Sequence, residues 1–287
     1  MNRSRRAQNA RMIERIMKYV TGACLLFAVG ITVAILGIIL VRGLPSISLE
    51  FIFAMPRENM TAGGIWPAIV GTFWLTTVAA LFALPIGVAT GIYLAEYARR
   101  GLLTRVIRLS IANMAGVPSI VYGLFGLSLF VITLKFNQSI LAGGLTLGCL
   151  TLPIIITATE EALRQIPTDL RHASLALGAT RLRTITKVVL PAAAPGIVTG
   201  SILGISRAAG ETAPILVTAA AFSAPLPTSI FDRVMVLPYH LYIMATQAVK
   251  PAPHVVWGTA LVLVASVTLV GVAAATWRSR QRSKIRW

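Results

Sequence analysis

Arg207 and Glu211 stand where charge is disfavoured. They lie in Arg207-Ala208-Ala209-Gly210-Glu211-Thr212-Ala213-Pro214, midway along the thirty residues from Ala192 to Ala221, which hold no other charge. An uncharged stretch of that length is long enough to cross a bilayer. At the centre of a membrane helix each charge costs about 2.5–3.5 kcal/mol on insertion scales, so a retained pair points to a polar solute or an ion path. A guanidinium offers planar donors to oxyanions, and a nearby carboxylate competes for the same donors. Two readings stand. Arg207 and Glu211 line a translocation path, or they form an i, i+4 salt bridge that only neutralises two buried charges. The readings are compatible, because a guanidinium that trades a carboxylate for a passing oxyanion uses one set of donors for both.

The element that carries the pair has a patterned face. Gly196, Gly200 and Gly204 repeat every four residues. At helical spacing they share a face of about 80° with Arg207, Glu211 and Pro214. Small residues at this interval let a second backbone approach closely, so the face is expected to pack on another helix of this chain or of a partner.

Composition sets the class of the whole chain. It has 287 residues, 56% hydrophobic and 12% charged, with a mean hydropathy of +0.79. That is too apolar for a soluble domain and fits an all-α integral membrane protein. Six runs reach the roughly 20 residues a spanning helix needs: 20–41, 68–95, 109–134, 139–159, 192–221 and 255–277. The formal net charge of +17 is dispersed between these runs instead of gathered on one face, so nucleic acid is not implied. Twenty of the 26 Lys and Arg fall in the segments 1–19, 96–108, 160–191 and 278–287; five fall in the alternate connections, and Arg207 completes the set. By the positive-inside rule both termini are expected on the cytoplasmic side of a multi-pass protein, with external loops at 42–67 and 222–254. The basic tails are expected to rest on anionic lipid headgroups. The first run resembles a secretion signal in its basic lead, but its 22 residues and lack of a small-residue cleavage site predict that it is retained.

Pro85, Pro118, Pro153, Pro195 and Pro214 lie inside apolar runs, which predicts kinks and a packed bundle with a polar interior. Cys24 and Cys149, the two cysteines, read as buried spectators. His172, His240 and His254 sit on separate connections and read as solvated loop residues, so neither a disulfide framework nor a metal site is expected. Tyr239, His240 and Tyr242 read as a headgroup-level anchor or as a contact for an external protein.

The connection 160–191 is too organised for a tether. Pro167, Thr168 and Asp169 favour a helix start, Leu170, Ala173, Ala176 and Leu177 keep helical spacing, and Gly178 is a natural stop. A basic segment, Arg181 to Lys187, then leads to Pro191 and back into the membrane. A soluble partner is expected to dock on this surface.

This connection resembles the EAA loop of ATP-binding-cassette importer permeases. That family places Glu-Ala-Ala three residues before a Gly, then nine residues before Ile, any residue and Leu-Pro. Here the run is His172, Ala173, Ser174, Gly178, Val188, Leu190 and Pro191, with departures at His172, Ser174 and Val188. The family's leading Glu helps seat the loop on the ATPase subunit, so His172 changes the polar contacts at that end. Within the family the chain is most similar to permease subunits of phosphate-specific importers, on Gly116-Val117-Pro118-Ser119-Ile120-Val121-Tyr122-Gly123, Leu175 to Thr180, the Arg207 to Pro214 motif and Leu237 to Tyr242.

The resemblance implies a type I importer permease (MetI-like) fold of six transmembrane helices in a prokaryotic inner membrane. It implies a homologous second permease, a cytoplasmic dimer of ATPase subunits, and an external phosphate-binding protein. Arg207 and Glu211 inherit a role in substrate translocation; the loop residues inherit ATPase coupling. No Gly-rich loop ending in Gly-Lys-Ser or Gly-Lys-Thr occurs, so ATP and Mg are expected on the partner. The alternatives are a permease for phosphonate, sulfate or molybdate, and a membrane enzyme acting on a lipid phosphate. The latter would need acids or histidines gathered near one membrane face.

Overall fold

The computed structural model describes residues 2–99, 101–247 and 252–282, with side chains from residue 12 to residue 279 apart from Asn59. Arg100, Lys250 and the tail from Ser283, which carry part of the expected charge pattern, lie outside the described residues. The fold is helical almost throughout. Helix α1 (Asn2–Gly43) is followed by the short α2 (Leu49–Phe53) and a two-stranded hairpin, β1 (Pro56–Arg57) with β2 (Ala62–Gly63). Next come α3 (Trp66–Ile92), α4 (Leu102–Gly116), α5 (Ser119–Gly126) and α6 (Ile140–Arg164). Helices α7 (Thr168–Ala176) and α8 (Arg181–Thr184) lead into α9 (Leu190–Ala209) and α10 (Ala213–Leu216). Helix α11 (Leu237–Thr246) and α12 (Pro253–Arg282) complete the chain. Five helical stretches are long and apolar enough to cross a membrane, and α4 with the α5 stretch makes a sixth if the bent pair counts as one span.

The centre is built by α3 and α6, the most extensive helix pair, with α9 packed on α6. Small residues set the spacing. Gly144 of α6 faces Val78 of α3, and a Cβ there would come within 2.5 Å of the valine, so the two backbones approach as only glycine allows. The main core cluster joins Leu75, Ala79, Ile140, Leu147, Ala208, Ile215 and Val236 from four helices and the segment before α11. Helix α1 is peripheral: none of its most apolar window is buried, and it packs mainly on α12, where Arg42 lies 5.0 Å over the Trp257 ring.

Three sequence expectations need correction. The expected span 192–221 is not one helix: α9 ends at Ala209, the chain turns at Gly210, and Pro214 sits in the first turn of the separate α10. Apolar composition continues past Gly210, so hydropathy hides the break. The prolines behave unequally, since α3, α6 and α9 run through Pro85, Pro153 and Pro195, whereas Pro118 separates α4 from α5 at a bend of 103°. Pro153 and Pro195 are buried, where neighbouring helices make a proline's lost bond tolerable, while Pro85 is exposed; the residue before Pro118 is instead pushed to extended geometry, and Val117 adopts φ −70°, ψ 130°. Finally, Cys24 is exposed on α1, because that helix has few neighbours to cover it.

Candidate functional site: an arginine at a double helix break

Arg207 occupies the last turn of α9, and Glu211 follows the Gly210 turn. The expected continuous face therefore stops at Arg207, but the i, i+4 contact survives the turn: Arg207 Nε lies 3.5 Å from Glu211 Oε1. That separation is at the limit of a hydrogen bond. The Arg207 side chain is 67% exposed and Glu211 only 18%, so the terminal guanidinium nitrogens stay available to a second anion. Behind Arg207, Gly196, Gly200 and Gly204 lie against Ala162, Ala158 and Ile154 of α6. The glycine-lined face thus packs within this chain and delivers Arg207 to the edge of α6.

A cavity of about 240 Å³ opens there, and its walls come from two breaks in regular structure and from the middle of α6. Arg207 and Glu211 flank the α9 break; Val117, Pro118 and Ser119 form the α4–α5 break; Pro153 and Ile154 belong to α6. Helix α5 starts at Ser119 with Pro118 at its N-cap and no side-chain cap, and its first internal bond runs from the Val121 amide to the Pro118 carbonyl, 3.0 Å. The amides of Ser119 and Ile120 therefore lack intrahelical acceptors, and a helix start of this kind favours anions. Tyr122 also lines the cavity; its hydroxyl donates to the Met114 carbonyl, 2.9 Å, which ties α5 back to α4 across the bend. The two motifs touch directly, since a Cβ on Gly123 would sit 3.0 Å from the Pro214 Cα. Sequence reasoning found Arg207 and Glu211 but did not assign Ser119 and Tyr122 to the site. Their signal was Pro118, which marks the bend that carries them to Arg207.

The loop expected to couple to a partner forms a separate site. Helix α7 exposes His172 and Ala173, half-buries Ser174, and ends in a turn where Gly178 takes φ +79°. Leu177 is 89% exposed beside it. Leu190 and Pro191 open α9 after a wide turn from Ile185 to Val189. What holds α7 was missed: Arg171 donates to Glu96 Oε1 at 2.7 Å, to the Ile166 carbonyl at 2.7 Å and to the Leu163 carbonyl at 2.8 Å. Arg181 donates to the Glu96 carbonyl and lies 5.3 Å over the Tyr97 ring. One residue just past α3, Glu96, thus anchors the connection twice, its carboxylate accepting from Arg171 and its backbone carbonyl from Arg181. Their distance in sequence from the loop hides these contacts.

His240 is not a solvated loop residue. It lies in α11 with 3% exposure, and neither ring nitrogen has a partner among the described residues. Burial pushes its pKa down to about 4. Tyr239 packs against the main core and only Tyr242 of the three is exposed, so the three do not act together as a surface anchor. His172 and His254 are exposed, and no cluster of metal-ligating side chains occurs among the described residues.

Known proteins resemble this chain over most of its length. A probable ABC transporter permease protein, YqgI, of Bacillus subtilis (strain 168) is 33% identical over 279 residues, covering 93% of this chain and 95% of the relative. The phosphate transport system permease protein PstA 1 of Mycobacterium tuberculosis (strain ATCC 25618 / H37Rv) is 43% identical over 218 residues, covering 76% of this chain and 70% of the relative. Among solved structures, an inward-facing MetNI methionine ABC transporter chain superposes with a TM-score of 0.63 at 21% identity, over 76% of this chain and 97% of that one. A bacterial alginate ABC transporter chain gives 0.64 at 12%, over 93% and 94%, and both show the shared fold. Residues 87–286 match the family model for binding-protein-dependent transport system inner membrane components, and the chain belongs to that family of ABC importer permeases.

Proposed function

We propose that this chain is the permease subunit of an ATP-driven importer of inorganic phosphate, with Arg207 and Glu211 in the translocation path. The observation that carries the proposal is the cavity in which Arg207, Glu211, Ser119 and the start of α5 converge. Relatives named as phosphate transport permeases support the choice of substrate. Phosphate carries between one and two negative charges at neutral pH, so its passage through apolar helices needs compensating cations and donors. Arg207 is the one basic residue inside an apolar run. The open backbone amides of α5 supply further positive potential, as half-helix starts do in other transporters. Glu211 opposes tight binding, which suits a site that must release what it takes.

The remaining parts follow the family's arrangement. The basic segments place both termini and α7 on the cytoplasmic side of the inner membrane. There α7, with exposed His172, Ala173, Leu177 and the Gly178 turn, docks on one of a pair of ATPase subunits, which bind ATP and Mg. A homologous second permease completes the path, and an external binding protein delivers the phosphate. Closure of the ATPase dimer moves α7, and the Arg171–Glu96 anchor passes that motion to the end of α3.

The test is labelled-phosphate uptake in cells lacking their own permease, comparing the parent chain with Arg207→Gln at matched membrane levels, with sulfate and phosphonate as competitors. Uptake restored by the parent alone, and blocked by neither competitor, is the expected result. Equal uptake by the variant would make Arg207 structural. Block by either competitor would move the substrate to another oxyanion.

A further inference from the structure

A second, larger cavity of about 1170 Å³ lies far along the helices from Arg207, between the ends of α3 and α6 and the starts of α4 and α7. Four arginines line it: Arg99, Arg105, Arg108 and Arg164. Arg108 and Arg164 both bond to Glu160, the second at 2.8 Å, so one buried carboxylate offsets two of the four guanidiniums. Arg99 and Arg105 have no acidic partner among the described residues, and both are exposed. The neutral donors have the same sense. Helix α4 starts at Gly101 with no side-chain cap, and Gly101, Leu102 and Thr104 are cavity residues. Helix α7 starts at Thr168, another lining residue, again without a side-chain cap. Two helix starts and two unpaired guanidiniums thus face one space, which is a setting for a polyvalent oxyanion.

The same helix identifies the source of that anion. Leu102, Val106 and Leu109 lie on one side of α4, and they are 77%, 50% and 59% exposed. Arg105 flanks this apolar stripe at helical spacing, so α4 has the build of a helix at a membrane boundary. A soluble anion has no use for the stripe, whereas a phospholipid uses both halves.

We propose that this cavity holds the phosphate headgroup of an anionic phospholipid, bound by Arg99 and Arg105, with its acyl chains along Leu102, Val106 and Leu109. Arg108 and Arg164, fixed by Glu160, frame the site. Because Thr168 opens α7, the lipid touches the start of the helix that carries the exposed docking surface. The site is independent of which solute the permease carries.

The full chain, purified in mild detergent, is titrated with phosphatidylglycerol and with phosphatidylcholine, and bound lipid is counted by native mass spectrometry. Parent, Arg99→Gln/Arg105→Gln and Lys135→Gln/Arg233→Gln are compared; the last pair, both exposed, removes equal charge beside the start of α6, at the opposite end of that helix from the cavity. The parent is expected to retain phosphatidylglycerol over phosphatidylcholine, and the cavity pair to weaken it by about tenfold or more, with an unchanged melting temperature. The Lys135/Arg233 pair is expected to bind as the parent does. Equal weakening in both pairs would reduce the effect to total charge and overturn the site. A parent without headgroup preference would overturn it too. A parallel thermal-shift titration with inorganic phosphate separates the sources: protection by phosphate that is lost in Arg99→Gln/Arg105→Gln, without protection by phosphatidylglycerol, would assign the cavity to a free anion and overturn the lipid.

Discussion

Under the proposed function, the loose ion pair of Arg207 and Glu211 suits transport better than a tight one would. With 3.5 Å between Nε and Oε1, the carboxylate weakens the arginine's hold on an anion without occupying its outer nitrogens. Exposed pairs of this kind are worth about 0.2–1 kcal/mol. Glu211→Gln is therefore expected to tighten anion binding by about twofold to fivefold and to slow release, read as a lower apparent KM and a lower maximal uptake rate. Arg207→Lys is expected to keep part of the uptake that Arg207→Gln loses, because the charge remains while the planar fork is lost. His240 supplies a prediction of another kind. Its folded-state pKa of about 4 lies below the ordinary value of 6.5, so the unfolded chain binds the proton more readily. Stability is complete above about pH 6.5 and is lost as pH falls toward 4, by about 3 kcal/mol in total. A melting temperature that declines over this window in the parent, and stays flat in His240→Phe, checks it.

Among the elements, α7 and α9 depend on contacts made far away in sequence. Glu96 is nearly buried and holds Arg171, so Glu96→Gln leaves a guanidinium without its counter-charge. Breaking such a pair is expected to destabilise α7 by about 3 kcal/mol, measured as faster amide exchange in 168–176 with the spans unchanged. On α9, Gly200→Val would drive a side chain into Ala158 of α6. Overpacking of this sort is expected to cost about 1–3 kcal/mol and to lower the melting temperature, while Gly22→Val on α1, where nothing lies within 4 Å, is expected to be silent. The six apolar runs and the Gly178 turn were legible because hydropathy and turn chemistry are local signals. The Gly210 break was not, since Thr212 to Ala221 stays as apolar as the helix before it. His240 was misread because a lone histidine in a short segment looks like a loop residue. Yet Leu237, Ile243 and Met244 around it are buried, and that apolar setting was the available cue.

In the whole molecule, charge and cavities divide the work. The interior cavity has one arginine and one acid, and the larger one has four arginines set against a single buried acid. Sequence assigned the basic residues to separate connections but not to a shared space, because only the turn from α3 into α4 and the end of α6 bring Arg99, Arg105 and Arg164 together. The same holds for the proposed transport site, where Ser119 reaches Arg207 only through the bend of 103°.

The pairing of α1 with α12 has a consequence for how the protein is made. Helix α1 finds its main packing partner in α12, about 200 residues later in synthesis. At about 5–20 residues per second, α1 waits in the lipid for roughly ten to forty seconds. Closure of the bundle's outer edge is then a late event of biosynthesis, and a chain stopped before Pro253 would leave α1 adrift beside an otherwise assembled centre.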